Sequence, residues 1–436
     1  MKILLTCPVS GTGHSPPSKI IVPNLPLRII AALTPPEHQI VISEETVEPI
    51  DFEQECDVVG ISTATANAKR AYEIADEFRK RGKTIIMGGI HPTMLPDEAL
   101  QHCDCVVIGE VEGVWKKLMA DLEKGKLKKK YTDPFPLLDT YIPRLDIDNN
   151  KGRLGSGFAA VETTRGCPYT CNFCTVPVQF GRKLRHRPIE HVVKDIVLSG
   201  KKKVFFLDDN IIGNPKYARE MLKALIPLKI QWMGQSSMKV LQKNPDITKL
   251  AIQSGCIGLF FGLESVSDSM SIIPKAIKDK QENANFLKHI RDSGIHVHTA
   301  VIFGFDTDTE GVFDETLEFL LKNKISSAGF ATLIPFPGTP LFDELDKEGR
   351  ILTRDWDEYN DQWGSTVYQP KNFSPEKLYY ETNRVKVEFT KFSNIYARAW
   401  ANRRRPLIYL MINTAFYGIH KSAMQYWVKR NPGLTF

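Results

Sequence analysis

The sequence lacks any uninterrupted apolar run near the roughly 20 residues that a membrane-spanning helix needs. Its first residues, MKILLTCPVSG, have neither the long apolar core nor the small-residue cleavage site of a secretory leader. There is no short internal repeat and no low-complexity tract. Strong charge is missing as well. The 57 Lys and Arg against 51 Asp and Glu leave +6 over 436 residues, too mild a balance to argue for nucleic acid. With 42% hydrophobic and 25% charged residues the composition is that of a globular protein. These features lead us to expect a cytoplasmic protein, and the length implies two or three domains.

Eight cysteines are present, at 7, 56, 103, 105, 167, 171, 174 and 256. An even count invites disulfides, but a cytoplasmic chain keeps its thiols reduced. Clustered cysteines in such a chain bind metal or do redox work.

The first stretch alternates two patterns. Apolar runs at Ile3–Thr6, Gln39–Ser43, Cys56–Ile61, Thr84–Met87 and Asp104–Ile108 suit parallel strands buried on both faces. Between the third and fourth, Ala68, Ala71, Ile74, Ala75 and Phe78 recur at helical spacing, with Gly82 as a stop. This predicts a doubly wound, Rossmann-like sheet over residues 1–125. Residues 126–155, basic and then rich in Pro, Asp, Asn and Gly, read as a linker. From 156 to 365 six further strand patterns (FAAVETTRG, KVFFLDDN, IQWMGQSS, GLFFGLES, HVHTAVIFG, AGFATLIPF) alternate with helical ones. They predict a partial (β/α)6 barrel resembling an open TIM barrel. Residues 366–436 read as a helical C-terminal region.

The centre of interest is CPYTCNFC, which places Cys167, Cys171 and Cys174 in a CxxxCxxC spacing just after the first barrel strand. Barrel chemistry concentrates at that end of the strands. Three thiolates can each bind one iron of a cuboidal 4Fe-4S cluster and leave the fourth iron open. The alternative, structural zinc, wants a fourth ligand, commonly from a second pair. The nearest candidates, His186 and His191, lack pair spacing.

CxxxCxxC with an aromatic, Phe173, before its last cysteine resembles the radical S-adenosylmethionine (SAM) superfamily. The resemblance implies that the open iron chelates SAM and that one electron releases a 5′-deoxyadenosyl radical, which abstracts hydrogen from an unactivated carbon. It implies SAM contacts at the strand ends: Asp208, Asp209 and Asn210 in LDDN, Gln235 and Ser237 in GQSS, Glu264 and Ser265 in GLES, and Gly304, where backbone approach to adenine is useful. The family's glycine-rich GGE motif is absent after the second strand. An external electron donor such as flavodoxin or ferredoxin is implied too.

The first domain has no GxGxxG after its first strand, which weakens a dinucleotide reading. DVVGIS, IMGGIHPT and VVIGEVE are instead similar to the cobalamin-binding domain that precedes many radical SAM domains. By resemblance, cobalamin contacts fall on Pro8, Ser62, Thr63, Thr65, Gly88, Gly89, His91, Pro92, Gly109 and Glu110. The DxHxxG motif that supplies a histidine to cobalt in another cobalamin family is absent. His14 follows Gly13 without that spacing, so no lower ligand is expected there.

The cofactor pair implies a cobalamin-dependent methyltransferase acting on an unactivated carbon of a small-molecule, lipid or tetrapyrrole substrate. Relatives with the same two domains also include cyclases, oxidases and carbon–carbon coupling enzymes, and a zinc-stabilised cobalamin sensor without turnover is the alternative from another class. No residue stands out as a proton donor or radical quencher beyond Tyr359, Tyr368 and Cys256. At the C-terminal end, Arg403, Arg404 and Arg405 precede the apolar PLIYLMINTAFYG, which suggests a peripheral membrane contact or, equally, a packed helix with a solvated basic face.

Overall fold

The computed structural model describes residues 1–9, 24–139, 157–266, 274, 279–360 and 365–430, with the backbone alone for 426–430. The loop carrying His14 lies outside the described residues. In chain order the strands are β1 (Lys2–Cys7), β2 (Gln39–Glu44), β3 (Val58–Ser62), β4 (Thr84–Gly88), β5 (Cys105–Gly109) and β6 (Lys130–Asp133). Then follow β7 (Phe158–Val161), β8 (Thr164–Arg165), β9 (Arg185–His186), β10 (Lys203–Phe206), β11 (Gln231–Ser236), β12 (Cys256–Glu264), β13 (His296–Phe303) and β14 (Ser327–Thr332).

The first sheet is parallel in the order β2-β1-β3-β4-β5-β6. Both faces are covered. Leu4, Val59, Ile61, Ile85, Met87 and Val106 pack with the helix Ala68–Lys80, whose five expected apolar positions are all buried. Ile3, Leu5, Val58, Ile86 and Val107 point the other way, onto Leu27, Ala31, Trp115 and Leu118. Strand order reverses between β1 and β3, which opens a crevice beyond their C-terminal ends. The stretch read as a linker contributes β6. Only Tyr131 is buried in this KYTD tetrapeptide, so its pattern is too short to register as a strand. A lysine-bearing edge strand also resists pairing with another chain.

The second sheet runs β14-β13-β12-β11-β10-β7, all parallel and in sequence order, with β7 and β14 as its edges among the described residues. This is the expected open partial barrel. Val204, Phe206, Trp232, Phe261, Val297 and Phe303 point outward under helices that supply Met221, Leu222, Leu287 and Leu320. The alternate residues face the lumen in layers: Gln235, Phe260, His298 and Ser327 share one level, and Gly262, Ala300 and Gly329 the next. Side chains are small at that second level, where the His298 ring packs over Gly329. The chain ends in the helices Pro375–Thr390, Phe392–Ala399 and Pro406–Arg430. Among the described residues no helix is long and apolar enough to cross a membrane.

Candidate cofactor sites

The cysteine loop begins where β7 is clamped to the end of β10. Asp208 is buried and accepts hydrogen bonds from Thr163 N (3.0 Å), Thr163 Oγ1 (2.5 Å), Thr164 N (2.5 Å) and Thr164 Oγ1 (2.7 Å). Burial pushes its carboxyl up to about 6 against the pull of these donors. Its Oδ1 is therefore spent on the backbone and hydroxyls that launch the cysteine loop, while Oδ2 accepts from Thr163 N. Asp208→Asn replaces one acceptor by an amide nitrogen facing donors. It should lower unfolding free energy by about 2–3 kcal/mol, read from urea denaturation; an unchanged midpoint would contradict the clamp.

From there the backbone turns at Gly166 (φ 92°), where a Cβ would sit 2.6 Å from Lys183 O. Cys167 N donates to Gly181 O at 3.2 Å and Cys174 N to Cys171 O at 3.1 Å. Cys171 is buried, and Cys167 and Cys174 are half-buried. The loop is fastened across the barrel mouth. Tyr169 Oη lies 3.4 Å from Ser237 Oγ beyond β11, and Asn172 O accepts from Leu341 N at 3.0 Å. Phe173 meets Phe305, after β13, edge to face at 5.8 Å. Three expected residues, Phe173, Cys171 and Ser237, thus come to one place.

The donor set bears on the metal. Three soft thiolates in a CxxxCxxC loop at the barrel mouth suit a cuboidal iron–sulfur cluster, one sulfur to each of three irons.

Around the loop, Asn210 Oδ1 accepts from Ser237 N at 3.2 Å, which couples the ends of β10 and β11. Asp209 is half-buried beside it. Gln235 is exposed, and Ser236 Oγ is buried without a hydrogen-bond partner among the described residues. Glu264 is buried with φ of 63°, at a register shift that ends β12 beside Ser265. A bulky residue in the left-handed region costs on the order of 1 kcal/mol and re-aims the chain at a strand end. Gly304 (φ 107°) differs from expectation. The room left by its missing side chain is taken by Tyr368 and Leu378, and Tyr368 Oη donates to Gly304 O at 2.5 Å. Its glycine serves packing against the C-terminal region, not an approach by adenine. Tyr359 Oη likewise donates to Thr353 O, and Cys256 is buried at the first residue of β12, so none of the three candidate donors is free to act at the mouth.

In the first domain, Pro8, Ser62, Thr63, Thr65, Gly88, Gly89, Pro92 and Gly109 gather at the C-terminal edge of the sheet. Gly89 (φ 102°) lets two loops touch, since a Cβ there would lie 2.5 Å from Thr63 O. Thr63 Oγ1 and Thr6 Oγ1 are buried without partners among the described residues, which fits a site built for a polar ligand. Asn67, which sequence reading passed over, donates to Pro8 O (3.0 Å) and accepts from Ala64 N (2.8 Å), bracing the crevice. His91 points the other way. It is fully buried, with Nε2 3.1 Å from Tyr72 Oη and 3.2 Å from Glu98 Oε1, and Trp356 Nε1 donates to the same oxygen at 2.8 Å. Its Nε2 is committed to this network, while its Nδ1 is buried with no hydrogen-bond partner among the described residues.

The two C-terminal edges face each other. Glu110 accepts from Arg165 Nη1 (2.6 Å) and Arg185 Nη2 (2.5 Å), and Glu112 lies 2.7 Å from Arg165 Nη1. Both carboxylates are buried side chains of the first domain, while both arginines belong to the β8–β9 ladder beside the cysteine loop. Glu110 is thus a clasp between domains rather than a free cofactor contact. Met94 packs against Gly338 in the loop after β14, where a Cβ would lie 2.5 Å from its sulfur.

Known proteins agree with this arrangement. A model described as the radical SAM superfamily matches residues 161–320. One described as a B12 binding domain matches residues 18–118. A bacteriochlorophyllide d C-12(1)-methyltransferase of Chlorobaculum tepidum is 35% identical over 417 residues, covering 91% of this chain and 89% of that protein. This chain belongs to the radical SAM superfamily. The enzyme is also similar to a hopanoid C-2 methylase of Rhodopseudomonas palustris, at 26% identity over 78% of this chain and 67% of that one. Its fold matches that of the methyltransferase TsrM from Kitasatospora setae with cobalamin and a 4Fe-4S cluster bound (TM-score 0.67, 14% identity, 99% of both chains). It also matches that of OxsB with aqua-cobalamin and SAM bound (TM-score 0.66, 15% identity, 99% of this chain and 75% of that one). The enzyme's cofactors are accordingly a 4Fe-4S cluster, SAM and cobalamin. Cys167, Cys171 and Cys174 would hold the cluster, and the residues around Gln235, Ser237 and Glu264 would line SAM. The crevice at Thr63 and Gly89 would receive cobalamin.

Proposed function

We propose that this enzyme transfers a methyl group to an unactivated carbon of a tetrapyrrole of the bacteriochlorophyllide class. The observation that carries the reading is the apposition of the two strand-end surfaces, clasped at Glu110, Arg165 and Arg185. When bound, the cluster with SAM supplies a hydrogen-abstracting radical and cobalamin supplies the methyl group. The protein's own residues fix the loop, close the mouth and set the two surfaces against each other. Support for the substrate class comes from the 35% relative and from a second, the C-8(2)-methyltransferase of the same organism, 31% identical. We place the reaction in the cytoplasm, where thiols stay reduced, with a flavodoxin or ferredoxin as one-electron donor.

The test is anaerobic turnover of the reconstituted enzyme with bacteriochlorophyllide d. A product heavier by one methyl in place of hydrogen, formed together with 5′-deoxyadenosine, is expected. Deoxyadenosine with a product of altered hydrogen count and no added carbon would replace methyl transfer by cyclisation or oxidation.

A further inference from the structure

The C-terminal helices have two unlike sides. Their inner side is bolted to the barrel. Buried Arg398 donates to Ile325 O (2.9 Å) and Phe389 O (2.8 Å), Asn413 Nδ2 to Ser326 O (2.9 Å) and Tyr409 Oη to Ile395 O (2.6 Å). Ile325 and Ser326 precede β14, so the contacts of Arg398 and Asn413 lie at the barrel end opposite the cysteine loop.

The outer side is apolar and, among the described residues, uncovered. Phe392, Tyr396 and Trp400, four residues apart, are 63%, 84% and 76% exposed, and Leu407 is 81% exposed. Leu410 and Met411 continue this face at about half exposure, and the Phe392 ring lies 4.9 Å from Tyr417 on the last helix, so the two rows form one patch. Scattered exposed apolar residues are ordinary, but a contiguous patch of this kind marks a contact surface.

Charge decides what the patch meets. From Phe389 to Phe436 the sequence has no Asp or Glu but eight Lys and Arg. Exposed Arg403 stacks over Trp400 at 4.9 Å, and Lys421 sits over Tyr417 at 5.9 Å. A two-fold contact with a second copy would set these cations against themselves. Aromatic and aliphatic side chains rimmed by cations instead match the boundary between anionic headgroups and acyl chains.

We infer that this face docks the enzyme on an anionic lipid surface, lying along it without crossing. This is independent of the methyl-transfer reading, because vesicle binding needs no turnover. The full-length holoenzyme should sediment with vesicles rich in phosphatidylglycerol and far less with pure phosphatidylcholine. Tyr396→Ser with Trp400→Ser, both at exposed positions, should weaken this binding more than about tenfold. Arg403→Glu with Arg404→Glu should do the same, and raised salt should release the intact chain. SAM cleavage should persist in both variants, which also shows that they fold. Failure of the intact chain to bind anionic vesicles would overturn the inference. So would unchanged binding by the Tyr396/Trp400 variant, which would leave charge attraction alone. A stable dimer in ultracentrifugation that this variant dissolves would assign the face to a second copy and overturn it as well.

Discussion

Alanine at Cys167, Cys171 and Cys174 together will leave a folded chain without iron or sulfide, and SAM cleavage will fall by more than about 10³-fold. The size of the effect follows from the chemistry. The side chains near the mouth are carboxylates, amides and hydroxyls, and none of these can split a sulfonium reductively. The fold should survive because the loop's own fastenings are elsewhere: the Asp208 clamp, the Asn172–Leu341 hydrogen bond and the Phe173–Phe305 contact do not use sulfur. Far-UV circular dichroism checks the fold, iron and sulfide analysis the cluster, and 5′-deoxyadenosine yield the activity. Cys256→Ala serves as a control. That thiol is buried at the first residue of β12, at the other end of the strand from the mouth, and should retain full iron content. Iron that stays in the triple variant would remove the assignment of ligands.

Acid will unfold the enzyme well before it unfolds a domain of ordinary carboxylates, because His296 and His420 are buried in it and His298 is half-buried between them. His296 Nε2 and His298 Nδ1 lie 2.7 and 2.9 Å from the same Ser327 Oγ, and the His298 ring meets Phe416, which stacks on His420. Burial lowers His298 to about 4. Burial, with the charges of His298 and Arg398, lowers His296 to about 3, and burial with Lys386 lowers His420 to about 3. The native state therefore refuses protons that the unfolded chain, near 6.5, accepts. Stability is complete above pH 6.5 and drains away as pH falls toward 4. Asp208 works in the opposite sense. Its raised pKa stabilises the native state as pH falls from about 6 toward 4, but one group shifted by about two units does not balance three shifted further. A net loss on the order of 5 kcal/mol by pH 4 is expected, a large part of a domain's stability. Urea unfolding at several pH values reads it. His420→Gln should flatten the profile, and a profile flat in the wild type would show that the rings are not sealed.

What could be read from the sequence, and what could not, divides by range. Strands buried on both faces write themselves as apolar runs, so β1 to β5 and the six barrel strands were legible, as were the helix Ala68–Lys80 and the spacing of the cluster cysteines. β6 was not, since one buried tyrosine among Lys, Thr and Asp carries no pattern. Residue types at the strand ends were legible but their partners were not. Glu110 and His91 stand in loops that resemble a cofactor site, yet the groups that claim them, Arg165 and Trp356, are 55 and 265 positions further on. The histidine set joins HVH at 296–298 to His420, a pairing that only the packing of the last helix creates. Arg165 was the nearest miss, because an arginine two residues before the first cluster cysteine sits where any clasp on that loop would have to act.

That arginine has a consequence of its own. A carboxylate gripped by two guanidinium groups from another domain works as a spacer of fixed length, stiff because neither end is hydrated. One end of the spacer is rooted two positions from Cys167 and the other beside the sheet-edge crevice of the first domain. Any slackening of the two halves must therefore be felt at the start of the cysteine loop. The spacing of the two strand-end surfaces and the placement of the cysteine loop are thereby tied to the same three side chains.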